Sequence, residues 1–195
     1  MDKELSFTAT ILACGQPINC LGEMSEGPVI LDTPNIIPAH ALEGAQTLGV
    51  LDGSDEDWAH AEEMGLITFR KAAVPESMLL YFRHSAEGYR LYVRRGACLG
   101  YGVFKNANGL IEALPMGSLD PTAWRIIDAQ SNELLDLSQL DQDQLDILLV
   151  SSDGQPVELH TLYPVGGFLA CHESALPCSL TLQIENRQVD WLGRD

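Results

Sequence analysis

The chain has 195 residues, of which 46% are hydrophobic and 20% are charged, and its formal net charge is −17 at pH 7. This length and composition predict a globular protein with one sizeable core, and they exclude an intrinsically disordered chain. The negative charge argues against sequence-independent binding to nucleic acid or to anionic lipid, because both require a basic surface.

The hydropathy pattern bears on the compartment. No run of 18 apolar residues occurs, so we expect no membrane span. Residues 1–15 place acidic side chains close to Lys3 and contain no extended apolar stretch, which is unlike a secretory signal. These features predict a cytoplasmic protein, or one released without a conventional signal peptide.

Three segments of the chain begin alike, each with an apolar run, a glycine turn and a second apolar run. The glycines are Gly15, Gly88 and Gly154, which lie 73 and 66 residues apart. The tripeptide Cys-Leu-Gly also occurs twice, starting at Cys20 and at Cys98. The pattern predicts a single domain, 1–195, with three four-stranded units at approximately 1–52, 78–128 and 147–195.

In each unit the second strand follows the glycine turn, and the other three strands are assigned as follows. The first strands are Ala9 to Leu12, Met78 to Phe82 and Ile147 to Val150; the third are Val29 to Leu31, Leu110 to Ile111 and Leu180 to Ile184; the fourth are Leu48 to Asp52, Trp124 to Asp128 and Trp191 to Gly193. Two short helices are predicted between units. Asp55 to Met64 follows the N-cap residue Ser54 and carries early acidic residues, while Ser138 to Asp146 combines a cap residue with apolar residues near helical spacing.

The middle of the chain carries a family resemblance. The segments LLYFRHSAEGYRLYVRRGACLG, NGLIEAL and AWRIID are similar to the pattern of fascin-like and ricin-type β-trefoils, in which six strands close a barrel and three hairpins cap one end. The resemblance implies an all-β, β-trefoil-like fold with three four-stranded units and short helical insertions. Another closed barrel or a β-sandwich is the alternative.

The resemblance does not carry the ricin-type sugar site with it. That site has a Gln-x-Trp element in each unit, whereas this chain has Thr122-Ala123-Trp124 in the second unit and Gln188-Val189-Asp190-Trp191 in the third. In this group of proteins the Trp is largely a core residue, so we expect Trp124 to be buried.

Charge is distributed unevenly along the chain. Residues 1–66 hold twelve acids and one base, residues 67–118 hold three acids and seven bases, and residues 119–195 hold thirteen acids and three bases. The candidate ligand-binding residues all lie in the basic segment, residues 83–105. They are Arg83, His84, Tyr89, Arg90, Tyr92, Arg94, Arg95 and Lys105.

Alternation along a strand places Arg90, Tyr92 and Arg94 on one face. Arginine offers paired donors and tyrosine offers a stacking face, so this surface suits an anionic or sugar-like ligand. The alternative interpretation is that these cations offset the acidic regions within the fold.

The five cysteines, at positions 14, 20, 98, 171 and 178, lack the spacing of a zinc site. We expect reduced thiols, with hairpin bridges Cys14–Cys20 or Cys171–Cys178 as the alternative. Nucleophile elbow, HExxH, phosphate-loop, Rossmann and EF-hand patterns do not occur, so no catalytic residue, metal or cofactor is predicted. The consecutive Cys171-His172-Glu173 cannot form a triad on a strand, because neighbours point to opposite faces.

These observations predict a non-catalytic recognition module that binds carbohydrate in a lectin-like manner or binds a protein. The alternative is an acidic inhibitor or immunity-type protein that binds a basic protein partner, since a charge of −17 accelerates such association. A hydrolase whose site is assembled across units stays open as a further hypothesis.

Overall fold

Apolar residues alternating with polar ones build an all-β protein. The computed structural model describes residues 3–34, 37–138, 140–171 and 178–190, and these ranges contain seventeen strands and one α-helix. The strands up to the helix are β1 (Phe7–Ala13), β2 (Gln16–Pro17), β3 (Asn19–Cys20), β4 (Ser25–Glu26), β5 (Ile30–Asp32), β6 (Ala41–Glu43) and β7 (Leu48–Leu51), and the helix is α1 (Asp55–Glu63). The strands after it are β8 (Arg70–Lys71), β9 (Leu79–Ser85), β10 (Gly88–Arg95), β11 (Gly102–Lys105), β12 (Ile111–Leu114), β13 (Ala123–Asp128), β14 (Gln144–Ser151), β15 (Val157–Leu162), β16 (Gly166–Cys171) and β17 (Leu180–Arg187).

Six of these strands close into a ring. Around the ring the order is β1, β9, β10, β13, β14, β17 and back to β1, and every neighbouring pair is antiparallel. The order in space is therefore also the order along the chain. Each of the six strands therefore has a hydrogen-bonded neighbour on both sides. Closure of this kind protects a β protein from edge-to-edge association.

Outside the ring, β4 pairs with β8 and β5 with β6 as separate two-stranded sheets, and three other pairs are β3 with β7, β11 with β12, and β15 with β16. Each of these three pairs is hydrogen-bonded to the other two. Strand β16 pairs with β7, the amide of Ala113 donates to the carbonyl oxygen of Gln46, and the amide of Cys171 donates to the carbonyl oxygen of Gly109. The three pairs therefore form a mutually bonded layer.

The inward side chains of the ring form the main core. Leu80 and Phe82 of β9, and Leu91 and Val93 of β10, are buried with side chains from the other ring strands. Phe7 and Phe82 stack with their ring centroids 4.5 Å apart and an interplanar angle of 9°. Trp124 is buried in the same core, as the sequence predicts.

The predicted helix between the first and second units is confirmed as α1. Ser54 and Asp57 form a reciprocal capping box, in which the Ser54 hydroxyl accepts from the Asp57 amide and the Asp57 carboxylate accepts from the Ser54 amide. Trp58 of α1 is buried against Phe69, with ring centroids 6.1 Å apart, in a second apolar cluster. This helix therefore covers one side of the outer layer.

The second predicted helix, Ser138 to Asp146, is wrong. Ser138 lies in a turn, where its hydroxyl donates to the Asp136 carboxylate, and strand β14 begins at Gln144. The cause is tertiary: Gln144 to Ile147 form a ladder with β17, and these long-range pairs outweigh a weak local helix preference.

Several strands take other positions than the repeat predicts. Leu48 to Leu51 is a strand, but it lies in the outer layer, and the segment at Val29 to Leu31 contributes β5, which pairs only with β6. Gly15 and Gly154 follow ring strands and lead out of the ring, whereas Gly88 joins ring strands β9 and β10. The predicted strand from Trp191 to Gly193 lies outside the described residues.

Candidate functional site

The basic segment folds as the β9–β10 hairpin and the strand that follows it. Arg83 of β9 lies opposite Arg90 of β10, and Tyr81 lies opposite Tyr92. Tyr89, Leu91 and Val93 point into the ring core, so the alternate residues of β10 lie on its outer face. Arg90, Tyr92 and Arg94 are therefore neighbours on one surface of the ring.

Both tyrosines predicted to bind a ligand are buried. Tyr89 is 7% exposed and contacts Phe7 at 5.6 Å and His84 at 5.2 Å between ring centroids. Tyr92 is 3% exposed and lies 6.4 Å from the ring of Tyr81. Neither ring presents an open face on which a sugar could stack.

Arg90 makes contacts within the fold. Its guanidinium donates to the carbonyl oxygen of Pro121, in the segment that precedes β13, and to the Glu87 carboxylate at 2.5 Å. The Arg90 side chain is only 19% exposed, while that of Glu87 is 67% exposed. Arg90 therefore ties the β9–β10 turn and the residues before β13 to the outer face of the ring.

Arg94 and Arg95 diverge at the end of β10. The Arg94 guanidinium lies 5.9 Å from the ring centroid of Tyr81. Arg95 contacts two carboxylates, that of Glu185 at 2.8 Å and that of Glu76 at 3.3 Å, and the hydrogen bond that it donates to Glu185 raises the pKa of Arg95. Arg95 thus joins the basic segment to β17 and to the segment before β9.

Lys105 leaves the hairpin altogether and reaches the β14–β15 turn. Its ammonium group donates to the Asp153 carboxylate and to the Gln155 side-chain oxygen, the latter at 2.8 Å. Ser151, which is fully buried, donates a second hydrogen bond to Asp153. Bonds from Lys105 and Ser151 together lower the pKa of Asp153.

The structure therefore brings Arg83, Arg90, Tyr92 and Arg94 together on the outer face and separates them from Tyr89, Arg95 and Lys105. His84 lies at the end of the hairpin and borders a cavity of about 270 Å³ that Trp124 and Leu135 also line. A second cavity, of about 250 Å³, lies between α1 and the strands β2 and β3. Its lining includes Gln16, Asp52, Trp58 and Lys71.

Among the described residues, no group of three or more His, Cys, Asp or Glu side chains could hold a metal ion. In the same part of the chain, no helix is long and apolar enough to cross a membrane. Burial raises the pKa of the Cys171 thiol to about 11, so at neutral pH this cysteine is protonated and is a poor nucleophile. His172 and Glu173 lie outside the described residues.

All five cysteines are described, and each is a free thiol. Cys14 is exposed whereas Cys20 is buried, and the Cys20 sulfur lies 3.1 Å from the sulfur of Cys98, 78 residues away. Hairpin spacing along the sequence did not predict this contact. The only signal was the shared Cys-Leu-Gly tripeptide, which marks both positions without indicating that they meet.

Comparisons with known proteins do not assign the chain to a family. No protein-family model, curated protein or solved structure matches the chain.

Proposed function

We propose that this chain is a non-catalytic recognition module with a β-trefoil arrangement, and that it binds a positively charged protein partner. Support for the arrangement comes from the six-stranded ring, whose strand order follows the chain, and from the three outer strand pairs. In a trefoil each unit would contribute two ring strands and one outer pair. The units would then run through β1 to β9, β10 to β13, and β14 to β17.

The observation that carries the functional proposal is that cations of the basic segment contact carboxylates of the same chain. Arg90 meets Glu87, Arg95 meets Glu76 and Glu185, and Lys105 meets Asp153. Outside the segment, Lys3, Arg70, Lys71 and Arg187 also pair with carboxylates.

With 28 acidic and 11 basic residues, internal pairing leaves a large excess of negative charge. Such an excess repels anionic ligands and steers cationic proteins towards the chain, which raises the association rate. A carbohydrate ligand has less support, since Tyr89 and Tyr92 are buried within the predicted binding segment. Cys171 gives a hydrolase no support, because burial raises the pKa of its thiol to about 11 and leaves it protonated at neutral pH.

The experiment has two stages. The immobilised chain captures proteins from an extract of its native source, and the captured protein is then expressed alone and its association rate is measured over a range of ionic strength. We expect a basic partner whose association slows steeply as salt increases. A partner without excess positive charge, an association rate independent of salt, or specific binding on a glycan array would overturn the proposal.

A matched pair of variants sharpens the second stage. Glu56 and Glu63 are exposed on α1, so the double variant E56Q/E63Q removes two negative charges without disturbing the core. Its association should be slower than that of the wild type. Gln142→Glu, at an exposed position, adds one charge and should have the opposite effect.

A further inference from the structure

Two buried thiols from distant parts of the chain are in contact. Cys20 lies at the end of β3 and Cys98 lies in the loop between β10 and β11, and they are 0% and 3% exposed. Their sulfur atoms are 3.1 Å apart. A disulfide bond is about 2.05 Å long, so the two sulfurs need to approach by only about 1 Å to become bonded.

The two thiols differ in acidity. The hydrogen bond with Cys98, together with burial, raises the pKa of Cys20, whereas the same hydrogen bond lowers the pKa of Cys98. The side-chain oxygen of Gln46 lies 4.0 Å from the Cys20 sulfur and 3.7 Å from the Cys98 sulfur. Cys98 thus forms a thiolate more readily than Cys20 does, and the thiolate is the form that attacks a disulfide.

The loop that carries Cys98 lies at the surface. Leu99, the next residue, is 64% exposed, and Gly100 is also exposed. Cys20 is held within the outer layer by β3 pairing with β7. Of the two buried thiols, Cys98 is therefore the nearer to exposed chain, and Cys20 lies behind it in the position of a resolving thiol.

We propose that Cys20 and Cys98 form a reversible disulfide site that reacts with low-molecular-weight disulfides such as oxidised glutathione. The Cys98 thiolate attacks one sulfur of oxidised glutathione, forms a mixed disulfide and releases one glutathione thiolate. Cys20 then loses its proton and attacks the Cys98 sulfur, which releases the second glutathione. Two protein thiols are oxidised and one oxidised glutathione is reduced to two thiols, so the electrons balance.

The bond joins β3 to the β10–β11 loop and closes the chain between them. That closed segment contains α1 with its buried Trp58, and ring strands β9 and β10. Cross-linking distant positions restricts the unfolded chain more than the folded one, so the oxidised protein should be more stable to heat.

The test uses Cys14→Ser as the parent protein. No Lys or Arg lies between Lys3 and Arg70, so one tryptic peptide would otherwise carry both Cys14 and Cys20. The fully reduced parent is equilibrated with mixtures of reduced and oxidised glutathione, quenched with acid and digested. The expected product is a peptide of residues 4–70 linked to residues 96–105, which separates on reduction.

Two comparisons make the result specific to the fold. Folding holds the two thiols together, so the folded parent should need less oxidised glutathione to form the linked peptide than the parent dissolved in urea. The proportion of oxidised glutathione required should be lower by at least about tenfold. It should be lost in C14S/C98S and kept in C14S/C171S. Oxidation should also raise the thermal midpoint by about 5 °C or more.

Three outcomes would overturn the proposal. One is a folded parent whose Cys98 peptide carries only glutathione or stays reduced. Another is equal formation of the link in folded and unfolded protein. The third is a linked protein whose thermal midpoint is unchanged.

Discussion

Replacement of Arg90 by Ser tests whether the basic segment holds the fold together. A hydrogen bond from a charged donor contributes about 1.5–3 kcal/mol to stability, and the Arg90 guanidinium makes one to the Pro121 carbonyl from a side chain that is 19% exposed. The ion pair with Glu87, which is 67% exposed, adds less than about 1 kcal/mol. We therefore expect R90S to lower the free energy of unfolding by roughly 2 kcal/mol.

The assay is urea unfolding at low and at high ionic strength. For a chain of this size a loss of roughly 2 kcal/mol shifts the midpoint by about 1 M. Arg125, exposed on neighbouring strand β13, supplies the control, and R125S should change stability by no more than about 0.5 kcal/mol. Salt should recover only the part of the R90S loss that comes from Glu87 and from net charge, because the Pro121 hydrogen bond is local.

A midpoint for R90S equal to that of R125S would refute this reasoning. It would mean that the contacts of Arg90 contribute nothing to stability, and the ligand-binding interpretation of the outer face would gain support. The same variant therefore separates the two interpretations once a ligand is known. Weakened binding together with unchanged stability is the result expected of a binding face.

Three other perturbations test other parts of the fold. Phe82→Ala removes a fully buried ring that stacks on Phe7, and it should cost about 3–5 kcal/mol in urea unfolding; a loss below about 1 kcal/mol would contradict its place in the core. Ser54→Ala removes the cap of α1 and should cost about 1 kcal/mol, with faster hydrogen exchange confined to the helix and its neighbours. Because the pKa of Asp153 is lower in the folded protein than its ordinary value of 3.8, the ionised carboxylate stabilises the fold at pH values above 3.8. This stabilisation is lost as the pH falls through the lower pKa of the folded state. In K105M the pKa of Asp153 measured by NMR titration should move back up, and an unchanged value would show that Lys105 is not its cause.

Local signals predicted some elements well. The helix α1 follows from Ser54 and the acidic first turn alone, and its N-terminal capping bonds lie within four consecutive residues. The strand predicted from Trp124 to Asp128 is present as β13, which begins one residue earlier, at Ala123. In both cases the information is contained within about one turn or one strand of chain.

Other elements depend on partners that are distant in sequence. Strand β16, with the sequence GGFLAC, lacks clear alternation and is a strand because β15 and β7 pair with it on both sides. Residues near Ser138 have weak helical spacing, yet Gln144 onward belongs to a ladder with β17. Burial of Tyr92 has a similar origin, since alternation places it correctly on the outer face and only the packing against Tyr81 shows that it is covered.

The fold brings the basic middle of the chain into contact with acidic residues from distant parts of the sequence. A chain of net charge −17 is destabilised by its own repulsion when it becomes compact. Arg95 reaches Glu185, 90 residues further along, and Lys105 reaches Asp153, 48 residues further along, so cations from the middle of the chain meet acids from its last third. Because β10 pairs with β13 in the ring, the basic segment lies beside the acidic last part of the chain. These ion pairs relieve repulsion locally, and the excess of carboxylates that remains is what the proposed binding of a cationic partner requires.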